Sequence, residues 1–466
     1  MNQLTLDQLR MATGGRWLTA ASACPAGDAP LGRAVIDSRE AQPGDVFWAL
    51  RGAHCDGAAF VPDAFRRGAV GAVVATEEVR PAPGHWALQV RDTQQALHQA
   101  ARSLREKFDG SVIAVTGSVG KTTTRQMIHT VLGAQWSGTA SPRNYNNQLG
   151  VPLSMLGWRG DEDYAVLELG ASHLGEIAEL AALCRPQIGV ITRIAEAHLD
   201  GFGSRHAVAE AKTELLQALP ADGLAVLNGD DPELVRLRQR SRAKILWVGR
   251  GPQCDLSATN IQSHGGRLSL DVDGQRLHVP VWGRHHVTSI LAAFAIGKSY
   301  GLPSPQIAEA LAEFEPLPMR CEVIGLGGAQ LINDSYNASP AAMRAALELL
   351  RDFDAAGRRI VVCGDMRELG DEAVQLHREL GTEIVTLCGA DLLVACGNHA
   401  ADVVAGAQAA GMPSERTIAC CDPLDAVPHV QRTLSAGDVV LVKGSRAVAL
   451  ERIVSALQGP AQRAAA

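Results

Sequence analysis

The feature that most constrains the fold of this chain is an apolar run that is followed by a glycine-rich turn and a helix-forming segment. The run is Ser111–Thr116, the turn is Gly117-Ser118-Val119-Gly120, and Lys121-Thr122-Thr123 opens the helical segment. Glycines let the backbone turn tightly and direct N–H groups at phosphate oxygens, and a helix start adds the positive end of its dipole. A strand, such a turn and a helix in this order are the context of a phosphate-binding loop. The feature therefore predicts an α/β domain that binds a nucleotide.

The residue types of this loop suit the phosphates of ATP. Lys121 would bring a positive charge to the β- and γ-phosphates, and the Thr122 hydroxyl would ligate Mg²⁺. The usual spacing places the first glycine at position 115, which is Val115 here, so a chance Gly-Lys-Thr in a strand–helix turn is the alternative. The loop predicts nucleotide binding and leaves the reaction open. Its candidate ATP-binding residues are Gly117, Ser118, Val119, Gly120, Lys121, Thr122 and Thr123.

Composition and charge narrow the class of protein. The 466 residues are 46% hydrophobic and 20% charged, with a formal net charge of -7. We expect no nucleic-acid partner because no basic tract stands out. We also expect a cytoplasmic protein without membrane insertion, since no apolar run approaches the ~20 residues of a membrane span and no signal-peptide pattern is found. The ten cysteines form no CxxC pair and predict buried, reduced thiols.

Two proline-rich stretches divide the chain into three predicted domains, residues 1–86, 87–316 and 317–466. Strand-like and helix-like runs alternate in the second and third domains, which predicts largely parallel sheets. Within the second domain, 268–281 alternates polar and apolar residues around Asp273-Gly274, the pattern of a β-hairpin. The fold class is therefore α/β, with a small first domain, a central P-loop domain and a Rossmann-like C-terminal domain.

Polar residues follow two apolar strands of the central domain. Glu168 comes directly after one strand, and His198 follows another. Because strand ends of this kind border the ligand crevice of an α/β sheet, Glu168 is a candidate Mg²⁺ ligand, and His198 a candidate ligand of a second metal or a phosphate. The alternatives are that Glu168 caps the next helix and that His198 makes a local hydrogen bond. Lys212 lies in a predicted helix, where a lysine is usually solvated.

These segments together resemble the Mur ligase family. The resemblance covers nearly the whole chain and implies three domains: a UDP-substrate domain, a central ATPase domain and a Rossmann-like C-terminal domain. It is closest to the members that add D-alanyl-D-alanine, and the most discriminating segments for this lie at 333–340, 364–370 and 442–446. The D-N-P-R motif typical of the sister enzyme that adds the third amino acid is not found. Further matching segments are Asp37-Ser38-Arg39, 44–47, 144–147, 150–152, 168–170, 173–177, 197–199, 202–204, 333–340, 364–370 and 442–446.

The resemblance implies an ATP-dependent, Mg²⁺-requiring ligase that joins D-alanyl-D-alanine to UDP-N-acetylmuramoyl-tripeptide through an acyl phosphate. The implied catalytic residues are Lys121, Glu168, His198 and Lys212, the last of them carbamylated. The implied metal ligands are Thr122, Glu168 and His198. His285, Arg320 and Asp334 are implied to face ATP. The implied substrate-binding residues are Ser38, Arg39, Asn146, Asn147, Tyr336, Asn337, Lys443, Ser445 and Arg446. We expect a monomer.

Several positions depart from the family pattern. His286 and Ser289 replace two asparagines that are common near the adenine. Ser172 stands where an asparagine is usual, Arg125 where the phosphate-loop helix usually has lysine, and 193–195 reads Arg-Ile-Ala in place of Asn-Ile-Gly. None of these changes removes a group that the chemistry requires.

Two other functions remain as alternatives. Folylpolyglutamate synthesis shares the ATPase core, but Asp37-Ser38-Arg39 argues against it. A regulatory P-loop GTPase would carry an Asn-Lys-x-Asp motif, and the nearest segment, 228–231, lacks the lysine. The sequence leaves open whether the third residue of the tripeptide is meso-diaminopimelate or lysine.

Overall fold

The first domain is built on a five-stranded sheet. The computed structural model describes residues 4–18, 25–52 and 55–462. The strand order is β1-β5-β4-β3-β2, and only the β1–β5 pair is antiparallel. Thr5 and Gln8 form a capping box that starts the first helix, and Gly14 in the left-handed conformation ends it. The elements are α1 (Leu6–Thr13), β1 (Arg16–Trp17), β2 (Ala34–Val35), β3 (Val46–Trp48), α2 (Val61–Arg66), β4 (Gly71–Val74) and β5 (Trp86–Gln89).

The central domain contains a nine-stranded sheet in the order β14-β13-β12-β11-β10-β9-β6-β8-β7. The last three strands along the chain pair antiparallel, and the other six run parallel. Its helices are α3 (Thr93–Arg105), α4 (Lys121–Gly133), α5 (Gly150–Leu156), α6 (Glu176–Cys184), α7 (Leu199–Phe202), α8 (Arg205–Ala218), α9 (Pro232–Leu237), α10 (Val287–Ser299) and α11 (Ser304–Ala312). Its strands are β6 (Ser111–Thr116), β7 (Gly138–Ala140), β8 (Tyr164–Glu168), β9 (Ile188–Ile191), β10 (Leu224–Asn228), β11 (Lys244–Gly249), β12 (Leu256–His264), β13 (Arg267–Val272) and β14 (Gln275–Val279).

The third domain has a six-stranded sheet in the order β15-β16-β20-β17-β18-β19, parallel except for the β15–β16 pair. This is the Rossmann-like arrangement that the alternation of runs predicts. The elements are β15 (Glu322–Leu326), β16 (Ala329–Asn333), α12 (Pro340–Asp352), β17 (Arg359–Gly364), α13 (Ala373–Cys388), β18 (Leu392–Cys396), α14 (Ala400–Ala409), β19 (Thr417–Cys420), α15 (Ala426–Thr433), β20 (Val439–Lys443) and α16 (Glu451–Gln462).

Strand β6 places the phosphate loop in the middle of the central sheet. It lies between β8 and β9, and Val112, Ile113, Ala114 and Val115 are fully buried. A strand covered on both faces must be apolar throughout, which is the pattern of this run. The carboxyl ends of β6, β8 and β9 therefore meet at one edge and bring the phosphate loop, Glu168 and Thr192 together.

Most predicted elements agree with the structure, although some of their boundaries differ. Strand β5 pairs with β4, so the first sheet extends just beyond the predicted limit at residue 86. The sequence also predicts a last helix over Ala447–Leu457, and its start was wrong: Ala449 has a φ of 57° and separates a 3₁₀ turn from α16, which begins at Glu451. The alanine-rich end, whose fraying the sequence predicts, lies outside the described residues.

The prediction that all cysteines are buried was wrong for two of them. Cys55 and Cys421 are exposed, and Cys254 is half-buried. The remaining described cysteines are buried and reduced, as expected, while Cys24 lies outside the described residues. Among the helices described in the structure, none is long and apolar enough to cross a membrane.

Candidate active site

The phosphate loop has the backbone shape that its glycines predict. Gly117 has a φ of 139° and Gly120 a φ of 84°, and Gly120 directly precedes the first turn of α4. A Cβ on Gly117 would lie 2.1 Å from the Thr192 hydroxyl, so this position has no room for a side chain. The Thr192 hydroxyl donates to the Val119 carbonyl at 2.6 Å. Ser118 Oγ exchanges hydrogen bonds of 2.9 Å with the backbone of Ala195. These contacts fix the loop against the segment that follows β9.

Lys121, the first residue of α4, folds back over the phosphate loop that precedes it. Its Nζ donates to the carbonyls of Gly117 at 2.8 Å and Ser118 at 3.4 Å. Burial lowers the pKa of Lys121, with Glu168 acting in the opposite direction. A lysine held in this position brings its ammonium group to the point where the loop N–H groups and the helix dipole also favour an anion.

Arg320 of the C-terminal domain contacts the phosphate loop. Its Nη2 donates to Thr122 Oγ1 at 3.0 Å, and its guanidinium lies 4.1 Å from the centre of the Tyr336 ring. A planar guanidinium stacked on an aromatic ring keeps its donors pointed in one direction. The third domain therefore supplies a cation directly to the nucleotide-binding loop.

Glu168 is a buried carboxylate with one unsatisfied oxygen. The side chain is 2% exposed, and its Oε1 accepts from Asn146 Nδ2 at 2.8 Å. Arg125 Nη1 lies 3.6 Å from Oε2, and within the described part of the chain Oε2 has no hydrogen-bond partner. Asn146 and Arg125 hold the carboxylate beside the loop, so it does not cap the following helix. A buried carboxylate oxygen left without a donor fits a ligand of a hard cation.

Lys212 is buried, contrary to the usual expectation for a lysine within a helix. It is 1% exposed, its Nζ donates to the Ala171 carbonyl at 3.0 Å, and it lies 5.2 Å from the centre of the Phe202 ring. Burial lowers the pKa of Lys212 to about 7, and the charge of Lys121 adds to this effect. A substantial fraction of this amine is therefore neutral and nucleophilic near neutral pH.

His198 faces the C-terminal domain. Its Nδ1 lies within ion-pairing distance of the Glu368 carboxylate, and this contact lowers the pKa of Glu368. Both residues have positive φ values, 54° for His198 and 62° for Glu368. Asp200 N also donates to the Glu368 carbonyl at 3.2 Å. His198 and Glu368 thus both adopt a backbone conformation that residues other than glycine rarely adopt, and they contact each other across two domains. The surrounding structure holds both residues in this conformation.

In the C-terminal domain, a buried charged network lies at the carboxyl ends of the neighbouring strands β16 and β20. Lys443, only 3% exposed, donates to Asp334 Oδ2 at 2.6 Å and to the Asn337 carbonyl at 2.9 Å. Asp334 Oδ1 accepts from the backbone of Cys321 at 3.2 Å. The network therefore fixes the segment that carries Arg320. The Lys443 ammonium group is already bonded to Asp334 and Asn337 within the protein.

Three models of one protein family match nearly the full length of the chain. "Mur ligase family, catalytic domain" matches residues 34–105, "Mur ligase middle domain" matches 115–297, and "Mur ligase, glutamate ligase domain" matches 319–446. The chain belongs to the Mur ligase family. It is an enzyme of α/β fold, as the sequence predicts, and the three matched regions follow the three sheets.

Two relatives of this Mur ligase share one name, and the similarity extends over more than nine tenths of each chain. The UDP-N-acetylmuramoyl-tripeptide--D-alanyl-D-alanine ligase of Bacillus subtilis (strain 168) is 34% identical over 424 residues, 91% of this chain and 92% of the relative. The ligase of the same name from Escherichia coli (strain K12) is 33% identical over 465 residues, 98% and 99% of the two chains.

Solved structures share the fold. MurF from Acinetobacter baumannii is 30% identical with a TM-score of 0.85, covering 97% of this chain and 98% of the other. MurF ligase from Thermotoga maritima in complex with ADP is 28% identical with a TM-score of 0.80, covering 93% and 98%. A folylpolyglutamate synthase from Mycobacterium tuberculosis is 15% identical with a TM-score of 0.62, a likeness of fold alone.

In this Mur ligase, His286 and Ser289 stand where the family commonly has asparagine near the adenine, and both contact other side chains. Ser289 accepts a hydrogen bond of 2.8 Å from Thr124 Oγ1 of α4, which ties α10 to the phosphate-loop helix. His286 is 8% exposed, and its ring centre lies 4.1 Å from that of His285. Both departures are thus accommodated within the packed structure.

Other predicted substrate residues of the Mur ligase lie in local contacts. Arg39 makes a bidentate pair with Asp37, with Nη2 2.6 Å from Oδ2. Asn147 Oδ1 accepts from Leu149 N at 3.2 Å and Gly150 N at 2.9 Å, which caps α5. Ser38 is buried at the start of its 3₁₀ turn, next to this pair.

The last two predicted residues lie after β20. Ser445 Oγ accepts from Arg367 N at 2.9 Å, and Arg446 Nη1 pairs with Glu451 at 3.0 Å. Ser445 therefore ties the loop after β20 to the 364–370 segment of the same domain. The sequence predicted neither the hydrogen bond between Ser445 and Arg367 nor the contact between Glu368 and His198. The family motif at 364–370, which contains Arg367 and Glu368, is the sequence signal that could have indicated both.

Proposed function

We propose that this chain joins D-alanyl-D-alanine to UDP-N-acetylmuramoyl-tripeptide, with ATP converted to ADP and phosphate. The product is UDP-N-acetylmuramoyl-pentapeptide, a precursor of peptidoglycan. The full-length similarity to relatives of that name supports the substrates. The observation that carries the proposal is the contact between Arg320 and Thr122, since it places a cation of the third domain at the phosphate loop.

The chemistry requires an activated carboxyl group. A carboxylate has no good leaving group, so its oxygen attacks the γ-phosphorus of ATP and ADP departs. Lys121, Arg320 and the loop N–H groups stabilise the charge that develops on the transferred group. The neutral amine of the dipeptide then attacks the acyl phosphate, an amide bond forms, inorganic phosphate leaves, and the amine nitrogen loses one proton to solvent or to the departing phosphate. Contact between the domains excludes water, which would otherwise hydrolyse the acyl phosphate.

The residues at the loop fit Mg²⁺. Thr122 and Glu168 would hold the cation, and the unsatisfied Glu168 oxygen supports this assignment. When bound, Mg²⁺ supplies positive charge to the phosphate oxygens. His198 is also one of the proposed metal ligands. Its contact with Glu368 depends on how the central and C-terminal domains are placed.

Carbamylation of Lys212 is part of the proposal. The neutral amine attacks CO₂, an N–C bond forms, and one proton is lost to solvent, which leaves an anionic carbamate. The pKa of about 7 and the burial of Lys212 support this reaction. Labelling with ¹³C-bicarbonate should give a protein carbamate resonance in NMR spectra. The resonance should be absent from Lys212→Ala and present in Lys244→Ala, which alters an exposed lysine.

The remaining assignments follow the family pattern. His285 and Asp334 face ATP in this proposal, along with the loop residues. Asn146 would position substrate beside Glu168, to which it is bonded. We assign the uridine diphosphate end to Ser38 and Arg39. Asn147 joins them on the substrate side, together with Tyr336, Asn337, Lys443, Ser445 and Arg446 in the C-terminal domain. The cytoplasmic location and the monomeric state stay predictions.

The deciding experiment measures phosphate release from ATP while each substrate is omitted in turn. Release that requires both the UDP-linked tripeptide and D-alanyl-D-alanine, with a pentapeptide product identified by mass, is the expected result. Release that is slow and independent of both substrates would instead fit a P-loop NTPase of the regulatory kind. Using tripeptides that end in meso-diaminopimelate or in lysine decides the accepted third residue.

A matched pair of lysine variants tests the role of the loop. Lys121→Ala should reduce the ligation rate by about 100-fold or more, because it removes a charge that stabilises the transferred phosphoryl group. Lys298→Ala changes an exposed lysine on α10 and should leave the rate within about twofold of the wild type. An unchanged rate in Lys121→Ala would contradict the mechanism.

A further inference from the structure

A second group of metal-binding side chains lies beside the phosphate loop. His285 and His286 belong to one 3₁₀ turn of the central domain, and Cys321 lies at the start of the C-terminal domain. Their ligand atoms all lie within 4.8 Å of one another. These three residues, here called the His–Cys cluster, have no part in the mechanism described above beyond the assignment of His285 to the ATP side.

The spacing of the His–Cys cluster matches a tetrahedral site. With Zn–S near 2.3 Å and Zn–N near 2.0–2.1 Å, tetrahedral geometry separates sulfur from nitrogen by about 3.6 Å and two nitrogens by about 3.3 Å. Cys321 Sγ lies 3.7 Å from His285 Nε2. One pair therefore already has the required separation, and His286 offers a ring nitrogen within 4.8 Å of the other two ligand atoms.

The surroundings of the cluster also suit a cation. His286 and Cys321 are buried, with 8% and 6% of their surfaces exposed. A cation that binds Cys321 Sγ displaces the thiol proton to solvent, and the resulting thiolate balances part of the metal charge.

We propose that the His–Cys cluster binds a borderline-soft divalent cation of the Zn²⁺ class through Cys321 Sγ and one ring nitrogen each of His285 and His286. The fourth position is open to water. Thiolate and imidazole ligands select this class over Mg²⁺, whose preferred ligands are oxygens. The site is therefore separate in chemistry from the proposed Mg²⁺ site at Thr122 and Glu168.

Bound metal would connect two domains. Cys321 directly follows Arg320, which contacts Thr122, whereas both histidines belong to the central domain. A cation held by all three residues fastens the beginning of the C-terminal domain to the nucleotide-binding domain. This inference is independent of the proposed function, because metal binding is measured without either substrate.

The test titrates the full chain with Zn²⁺ and, separately, with Co²⁺. We expect one Zn²⁺ per chain and, for Co²⁺, a thiolate-to-metal charge-transfer band together with the intense visible absorption of tetrahedral Co²⁺. Cys321→Ser should abolish the charge-transfer band. It should also weaken Zn²⁺ binding at least tenfold, since even outer-shell changes cost about 10–100-fold in affinity. Cys421→Ser alters an exposed cysteine elsewhere and should leave both signals unchanged.

His286→Asn provides an independent arm, because asparagine removes a ligand without changing the cysteine. It should weaken Zn²⁺ binding at least tenfold while thermal unfolding in the presence of a chelator stays near that of the wild type. Absence of the charge-transfer band in the wild-type protein would overturn the proposal, as would equal Zn²⁺ affinity in the wild type and both variants. The Sγ···Nε2 contact would then be an ordinary S–H···N hydrogen bond.

Discussion

At the scale of single residues, Glu168 combines burial with an unsatisfied oxygen. Glu168→Gln keeps the size of the side chain and removes its charge. We expect the ligation rate to fall about 100-fold, because the carboxylate no longer supports the cation that neutralises the phosphates. Steady-state kinetics across a range of Mg²⁺ concentrations measure the effect. Glu313→Gln, at an exposed position, is the control; a loss of equal size there would refute the assignment.

Because its pKa is lowered in the folded protein, Lys212 should make the free energy of unfolding depend on pH. Its pKa is about 7 in the folded protein, compared with the usual 10.5. Between these values the unfolded chain binds a proton that the folded chain does not, so the free energy of unfolding contributed by Lys212 rises with pH. Denaturant titrations in CO₂-free buffer from pH 7 to 10 should show a smaller rise in Lys212→Met than in the wild type. Lys244→Met, on an exposed lysine, should retain the wild-type slope.

At the scale of elements, Asn147 caps α5 through bonds to the backbone N–H groups of Leu149 and Gly150. Asn147→Ala should lower the free energy of unfolding by about 1 kcal/mol, because two N–H groups at the helix start lose their acceptor. Asn147→Asp keeps the acceptor and should recover most of that loss. Denaturant unfolding of the two variants checks this, and equal stabilities would show that the cap contributes nothing.

At the scale of the whole molecule, Arg320 links the C-terminal domain to the phosphate loop. Arg320→Lys keeps the charge but loses the planar group that stacks on Tyr336 and bonds Thr122. We expect kcat/KM for ATP to fall about tenfold to 100-fold, since positioning of the transferred phosphoryl group depends on it. The control is Arg351→Lys at an exposed position. If both variants had wild-type kinetics, the contact between the domains would have no catalytic role.

The order and type of most elements followed from local patterns. The β6 run and the start of α4 at Lys121 agree with the prediction, because a strand buried on both faces is apolar throughout and a glycine turn ends it. Asp273-Gly274 forms the β13–β14 turn, with φ values of 50° and 72° that suit a tight hairpin. Short or polar elements such as β12 and β15 were missed, because their pairing depends on neighbouring strands.

The sequence by itself determined the phosphate loop, the three α/β domains and the family, since these depend on residue order within short segments. Only the tertiary structure decided that Lys212 is buried and that one oxygen of Glu168 has no hydrogen-bond partner among the described residues. It also brought His198 to Glu368 and Cys321 to His285 across domain boundaries. Burial and contacts between distant segments arise from how the domains pack, and no local pattern encodes them.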